Sequence, residues 1–269
     1  MSKSRIEVWK PHSCIIVLSD CSAQPQYVIA EIADVSQIAD YRLKPAPEQN
    51  LYDLYFDTPS EALKAKKMSL RLREIDEATL LTLKGPSRRT DWGGVNRREI
   101  ELVWGSENLM RILAELRACD IHLSARGKKH QPTQPPLECL LDRGLQVIQD
   151  RTTRRQIRNI VAGEGNGEPI LAELALDSVV YRFNDAQVKH YEVEIESKNP
   201  GGVTAVKDVL EALQSTYKNV LRLWDYSKLA TGEAIKKLLA KFPEERLLDQ
   251  GGNIRPEGYD RIETMLRKH

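Results

Sequence analysis

The sequence predicts an α+β fold built on an antiparallel sheet of eight strands, flanked by helices. Three observations lead there. Eight segments alternate apolar with polar residues, the period of a strand with one buried face. Most neighbouring segments are separated by short turn signals, as in hairpins. Between them lie stretches with apolar residues at helical spacing. Strands of this kind suit a closed barrel with a polar lumen. A flat sheet with one dry face has the same alternation, so the period alone does not decide closure.

Cys14 to Leu18 is β-branched and apolar and reads as the first strand. Residues 26–43 place Val28, Ile29, Ile32, Val35, Ile38 and Ala39 at helical spacing, and Pro45 and Pro47 end that helix. Leu51 to Asp57 is a strand, and Thr58-Pro59-Ser60 starts a short helix ending near Lys67. Strands at Met68–Glu74 and Thr79–Gly85 bracket the turn Ile75-Asp76-Glu77, and a third runs from Asn96 to Trp104. Leu109, Ile112, Leu113 and Leu116 mark an amphipathic helix. The polar, proline-rich residues 124–136 form a connection at the midpoint. The pattern restarts with a basic strand around 147–159, a hairpin loop at Gly163–Gly167, and strands at 170–179 and 189–197. Helices follow at Val203–Tyr217 and Glu233–Phe242, and residues 243–269 read as an appended helix with a Gly-Gly hinge. The expected organisation is a lead-in at 1–12, a barrel domain at 13–242 and a helical extension at 243–269.

Composition narrows the function. The chain has 269 residues, of which 29% are charged, above the usual level of about 25%. Yet 40 basic residues face 39 acidic ones. That balance argues against a general electrostatic binder of duplex nucleic acid and leaves room for charge segregated inside a cavity. No apolar run reaches the roughly 20 residues needed to span a bilayer, and no signal-type core follows the N-terminus. The four cysteines are scattered, with no C-x-x-C pair. A soluble cytoplasmic protein with free thiols is expected. The histidines have no metal spacing and are expected at incidental surface positions, His190 among them.

The charged faces carry the chemistry. In Tyr191-Glu192-Val193-Glu194-Ile195-Glu196 three carboxylates share one face and the apolar residues the other. Arg71 and Arg73 share a face, Thr82 and Lys84 another, and Arg97, Glu99 and Glu101 a third. The basic strand supplies Arg151, Arg154, Arg155 and Arg158, and Glu173 and Asp177 lie together on the strand after it. A single such strand is explained by a solvated face. Six in one chain, rich in Arg and Glu, point to a binding surface. Arginine forks hold phosphate oxygens, and carboxylates hold Mg²⁺ or Mn²⁺.

These residues, in this order, resemble the CYTH superfamily of triphosphate tunnel metalloenzymes. The motifs are Asp57-Thr58-Pro59, Leu70-Arg71-Leu72-Arg73, Thr82-Leu83-Lys84, Arg97-x-Glu99-x-Glu101, Leu176-Asp177, Glu192-x-Glu194-x-Glu196 and Ser227-Lys228-x-x-x-Gly232, spanning about residues 50–235. The resemblance implies an eight-stranded antiparallel tunnel that binds a triphosphate or polyphosphate with basic side chains and a divalent metal with acidic ones. Arg71, Arg73, Lys84, Arg97, Arg155 and Lys228 are the implied phosphate contacts, with Arg154 the alternative to Arg155. Asp177, Glu192 and Glu194 are the implied ligands of Mg²⁺ or Mn²⁺. Glu99 and Glu101 are implied to position basic groups or water. Triphosphatase chemistry is expected ahead of adenylate cyclisation. One departure stands out: the family's Glu-x-Glu-x-Lys on the first strand is replaced by Ser13-Cys14-Ile15-Ile16-Val17. Either the remaining carboxylates hold the metal alone, or the chain binds a polyanion without efficient turnover.

Overall fold

A computed structural model describes residues 12–18, 24–89, 95–123, 134–163, 165, 167–183, 186–199 and 201–268. The expected lead-in and most of the proline-rich connection lie outside these residues. The fold is α+β, an antiparallel sheet with helices, and the described residues form ten strands where an eight-stranded tunnel was expected. The chain divides into two compact units. Among the described residues, one unit comprises those within 51–89 and 96–150, the other those within 12–50 and 151–268, with Val95.

The first unit holds the C-terminal half of strand β3 (Tyr41–Asp57), then β4 (Ser69–Ile75), β5 (Ala78–Arg89) and nearly all of β6 (Val95–Val103), paired in the order β6-β5-β4-β3. Strands β4 and β5 are joined by the two residues Asp76 and Glu77, with Ile75 opposite Ala78. Asp76 takes φ 51° there, a left-handed conformation that Asp tolerates better than most residues. Helices α2 (Ala62–Ala65), α3 (Ser106–Ala118) and α4 (Pro136–Leu141) complete the unit. Its core is leucine-rich. Leu54, Leu70, Leu72, Leu81 and Leu83 from the strands meet Leu109, Ile112 and Leu116 from α3. Each buried aliphatic side chain contributes about 1.5–3 kcal/mol. Because these residues alternate along β4 and β5, their burial sends Arg71, Arg73, Thr82 and Lys84 to the other face. Asp57 is buried and accepts from the backbone N–H groups of Thr58, Leu63 and Lys64, so it fixes the entry into α2.

The second unit holds β1 (His12–Val17), β2 (Gln37–Ile38), the N-terminal half of β3, most of β7 (Gln146–Ala162), β8 (Ile170–Phe183), β9 (Ala186–Ser197) and β10 (Leu221–Leu223). Strand β9 lies between β8 and β1, and β1 also pairs with β10. Helix α1 (Pro25–Asp34) stops at Asp34 rather than running to residue 43. Val35 is extended, and Gln37–Ile38 turns back on Tyr41–Arg42 through Ala39 at φ 49°. Val28, Ile29, Ile32 and Ile38 are buried anyway, Ile38 by a strand rather than a helix, while Val35 is half-buried and Ala39 exposed.

Helix α5 (Gly202–Thr216) lays Val206, Val209 and Leu213 on the apolar face of β8 and β9. A Cβ at Gly202 would meet the Leu171 carbonyl at 1.9 Å, so only glycine permits this approach. Helix α6 begins at Lys228, five residues before the expected start, and ends at Leu239. Ser227 is its N-cap and accepts from the Ala230 N–H at 3.2 Å. The expected appended helix is α7 (Pro256–Leu266), preceded by a turn with Gly252 at φ 77°. Helices α6 and α7 and the β8–β9 hairpin share a core of Tyr181, Trp224, Ile235, Tyr259 and Ile262.

Candidate functional site

In the first unit, strand register assembles one charged cluster. Asp53 on β3 is opposite Arg73 on β4, and Tyr55 is opposite Arg71. Across the next seam Arg71 is opposite Thr82, and Ser69 is opposite Lys84. Arg73 forks onto Asp53, with Nε and an Nη donating to the two carboxylate oxygens at 2.6 and 2.8 Å. Arg71, 4% exposed, donates to Thr82 Oγ1 at 3.1 Å and Glu101 at 3.0 Å and lies 3.9 Å from both Asp53 and Glu99. Lys84 Nζ lies 3.0 Å from Glu99.

Burial, then the charges of Arg97, Arg71 and Arg73, pushes Lys84 down to about 7, against the pull of Glu99. Burial on its own would raise Glu99, but Lys84, Arg71 and Arg97 outweigh it and hold the carboxyl far below its usual range. Four cations (Arg71, Arg73, Lys84 and Arg97) therefore act on three carboxylates (Asp53, Glu99 and Glu101). A buried excess of positive charge favours a bound anion.

The second unit assembles the acidic cluster. Asp177 on β8 is opposite Glu192 on β9, and Glu194 is opposite Ala175. Asp177, Glu192 and Glu194 each bring one carboxylate oxygen within 4.8 Å of the others. Oxygens on one divalent ion, at about 2.0–2.6 Å from it, lie no more than about 4–5 Å apart. The donor set is all hard oxygen, so geometry and chemistry both fit a divalent cation.

Two cations touch this cluster. Lys228 Nζ is 3.0 Å from Asp177, 3.0 Å from Glu194, and in contact with Glu192. Arg155 forks onto Asp177 at 2.7 and 2.6 Å and donates to Glu194 at 2.6 Å. Burial would raise Asp177, but Arg155 and Lys228 dominate and hold it far below the usual carboxylate range. The position of Lys228 follows from its surroundings. It is the first residue after the N-cap, its carbonyl accepts from the Tyr181 hydroxyl at 2.9 Å, and the neighbouring Thr231 hydroxyl accepts from Trp224 Nε1 at 2.9 Å.

All eleven site residues expected from the sequence fall in one of these two clusters. The first holds Arg71, Arg73, Lys84, Arg97, Glu99 and Glu101, and the second holds Arg155, Lys228, Asp177, Glu192 and Glu194. Arg154 and Arg155, the two alternatives, have different surroundings. Arg154 is exposed and forks onto Glu48 at 2.6 and 2.9 Å, whereas Arg155 turns to the acidic cluster. Glu173 and Glu196 are opposite one another, and Lys198 satisfies both, at 2.8 and 3.4 Å.

Two members were missed. Asp53 is fully buried, and its alternation with Leu54 and register with Arg73 were the available signal. His190 was expected at the surface but is fully buried. It has the same strand parity as Glu192 and Glu194, which was the signal for it. Its Nε2 is 2.8 Å from Glu192 Oε2 and its Nδ1 2.8 Å from the Tyr259 hydroxyl. Burial, followed by the charges of Lys228 and Arg151, pushes it down to about 3. The departure on the first strand also has a definite place. His12, Cys14 and Ile16 are the residues opposite Glu196, Glu194 and Glu192, so β1 brings no carboxylate into register with the acidic strand.

Each unit thus has antiparallel strands that carry Arg, Asp and Glu on the face opposite their apolar residues, with a Lys in contact with the carboxylates. The family model described as the CYTH domain matches residues 27–221, and the chain belongs to that family. Among solved structures, HpAC1 from Hippeastrum, described as an adenylyl cyclase candidate with a dominant triphosphatase activity, is 16% identical with a TM-score of 0.50. The match covers 84% of this chain and 96% of that one. The bh2851 protein of Bacillus halodurans, described as an adenylate cyclase candidate, is also 16% identical, with 83% and 96% of the two chains covered. Its TM-score is 0.45. At these identities the likeness speaks for the fold alone. None of the curated proteins matches the chain in sequence. No described helix is long and apolar enough to cross a membrane.

Proposed function

We propose that the chain hydrolyses a triphosphate-containing substrate, inorganic tripolyphosphate or an organic triphosphate, with the help of Mg²⁺ or Mn²⁺. The observation that carries this is the three-carboxylate cluster of Asp177, Glu192 and Glu194, all within reach of one ion. When bound there, the metal supplies Lewis-acid polarisation of a phosphoryl oxygen and lowers the pKa of a bound water. Arg71, Arg73, Lys84 and Arg97 are assigned to phosphate oxygens in one unit, and Arg155 and Lys228 to phosphate oxygens in the other. Arginine forks and lysine ammonium groups bind phosphoryl oxygens in the ground state and offset the charge that develops in the transition state. Glu99 and Glu101 hold Lys84 and Arg71 in place, at 3.0 Å each, so that the donors are preorganised. The working compartment is read as the cytoplasm, where such substrates and free thiols coexist.

The test is phosphate release from tripolyphosphate, ATP and thiamine triphosphate with each metal. Rates that fall at least a hundredfold in a Lys84→Ala, Arg73→Ala double variant support the reading; rates equal to that variant end it. A second reading has its own observation. No β1 residue adds a carboxylate to the cluster, and the Lys228 ammonium already contacts all three acids. That pattern fits a polyphosphate- or nucleotide-binding protein with weak turnover or none. Calorimetry with tripolyphosphate in EDTA separates the two: tight metal-free binding without turnover selects the second.

A further inference from the structure

The acidic cluster is gripped from both helices of the C-terminal region, and this goes beyond the family's set of charged residues. Glu192 is 1% exposed. Its Oε1 is approached by Lys228 at the start of α6, and its Oε2 by His190, whose other ring nitrogen meets the hydroxyl of Tyr259 on α7. Tyr259 is 1% exposed and held by an edge-to-face contact with Trp224 at 5.7 Å between ring centres. The ring of His190 lies 5.8 Å from that of Tyr259 and 6.1 Å from that of Tyr181. Tyr181 in turn bonds the Lys228 carbonyl.

The direction of these hydrogen bonds follows from what each group can donate. Glu192 is ionised against the Lys228 ammonium and can only accept. His190 is fully buried and its Nε2 faces that carboxylate, so Nε2 carries a proton and donates to Glu192 Oε2. Nδ1 and the Tyr259 hydroxyl share the second hydrogen bond. The contacts run unbroken from α7 through β9 to the carboxylate.

We propose that Tyr259, acting through His190, is a positioning residue for Glu192: the relay fixes Oε2 and with it the carboxylate that stands beside Asp177 and Glu194. This rests on the metal reading of the cluster given above. Removing the Tyr259 hydroxyl leaves the His190 ring held through Nε2 alone, so the ring can tilt and its hold on the orientation of Glu192 loosens. His190 stands one step behind the ligand, where loss typically costs 10–100-fold in metal affinity, and Tyr259 stands one step behind His190, so its loss falls at the low end of that range. A hydrogen bond with a merely structural role would lower stability when lost and leave that affinity alone.

The experiment combines two measurements on the full chain. Nitrogen NMR of the His190 ring gives the tautomer with no substitution and no metal. Mn²⁺ titration calorimetry compares the wild type with Tyr259→Phe and with Tyr41→Phe. The Tyr41 hydroxyl donates to Asp208 on α5 at 2.8 Å, so its loss is a like change away from the acids. The expected result is a proton on Nε2, Mn²⁺ binding about tenfold weaker in Tyr259→Phe, and no change in Tyr41→Phe. A proton on Nδ1 and none on Nε2 overturns the proposal, and decides it even if Tyr259→Phe does not fold. So does a Tyr259→Phe affinity within twofold of a wild type that binds Mn²⁺. A wild type that binds no Mn²⁺ removes the metal reading itself, and this inference with it.

Discussion

Replacing Lys228 by Met keeps most of the side-chain length and removes the ammonium that contacts Asp177, Glu192 and Glu194. Lys228 is 8% exposed and Asp177 fully buried, so water does little to screen what is left. Arg155 would remain as the cation in direct contact with Asp177 and Glu194, and Glu192 would keep only its bond from His190. Deleting one partner of a buried charge pair costs about 3–5 kcal/mol. For a chain of this size each kcal/mol lowers the melting temperature by about 2–4 °C, so a fall of about 6–20 °C is expected in EDTA. Mn²⁺ at the same carboxylates replaces the lost charge, and the variant should regain more on adding Mn²⁺ than the wild type does. Thermal unfolding in EDTA and in Mn²⁺ is the assay. A variant within about 2 °C of wild type in EDTA would refute the electrostatic argument. One that gains no more from Mn²⁺ than wild type would refute the claim that ammonium and metal share these oxygens.

Three further outcomes follow from the same clusters. Glu99 and Asp177 are held far below their ordinary values, so their stabilising charge is present above about pH 4 and is lost as pH falls below it. The limiting slope is about 1.4 kcal/mol per pH unit for each group, and Glu99→Gln should flatten a denaturant-melt profile over that window; an unchanged slope counts against the pairing with Lys84. Lys84 is pushed down to about 7, so between there and its unfolded value of about 10.4 the unfolded chain binds the extra proton and stability rises with pH. An anion bound beside it restores the proton: tripolyphosphate binding at pH 8 should take up a proton, read as a buffer-dependent enthalpy that vanishes in Lys84→Arg. Equal enthalpies in all buffers would contradict this. Finally, Arg155→Ala should reduce both stability and triphosphate affinity, while Arg154→Ala, at an exposed pair, should change stability by less than about 1 kcal/mol.

Much of this was legible in the sequence because strand parity carries so much of it. The alternation of Val193 and Ile195 with the three glutamates fixed which face is buried, and the same holds for Leu70, Leu72, Leu81 and Leu83 against the basic residues. What was not legible depended on partners far away in the chain. Between Arg154 and Arg155, adjacent and chemically identical, only the pairing of β7 with its neighbours decides. The helix expected through residue 43 fails because Ile38 and Leu43 find the same core from a hairpin, where apolar spacing is satisfied without a helical backbone. His190 passed for a surface residue because its partner Tyr259 lies 69 residues further on. The two strands beyond the expected eight, Gln37–Ile38 and Leu221–Leu223, are too short to have a period.

The central claim is that the carboxylates of β8 and β9 hold a metal that serves phosphoryl transfer. Phosphate release from tripolyphosphate, followed with Mn²⁺ in wild type and in Glu194→Gln, tests it most directly. The expected result is turnover that EDTA abolishes and that Glu194→Gln lowers by at least a hundredfold. Turnover indifferent to both EDTA and the substitution, or none in the wild type with either metal, would contradict it.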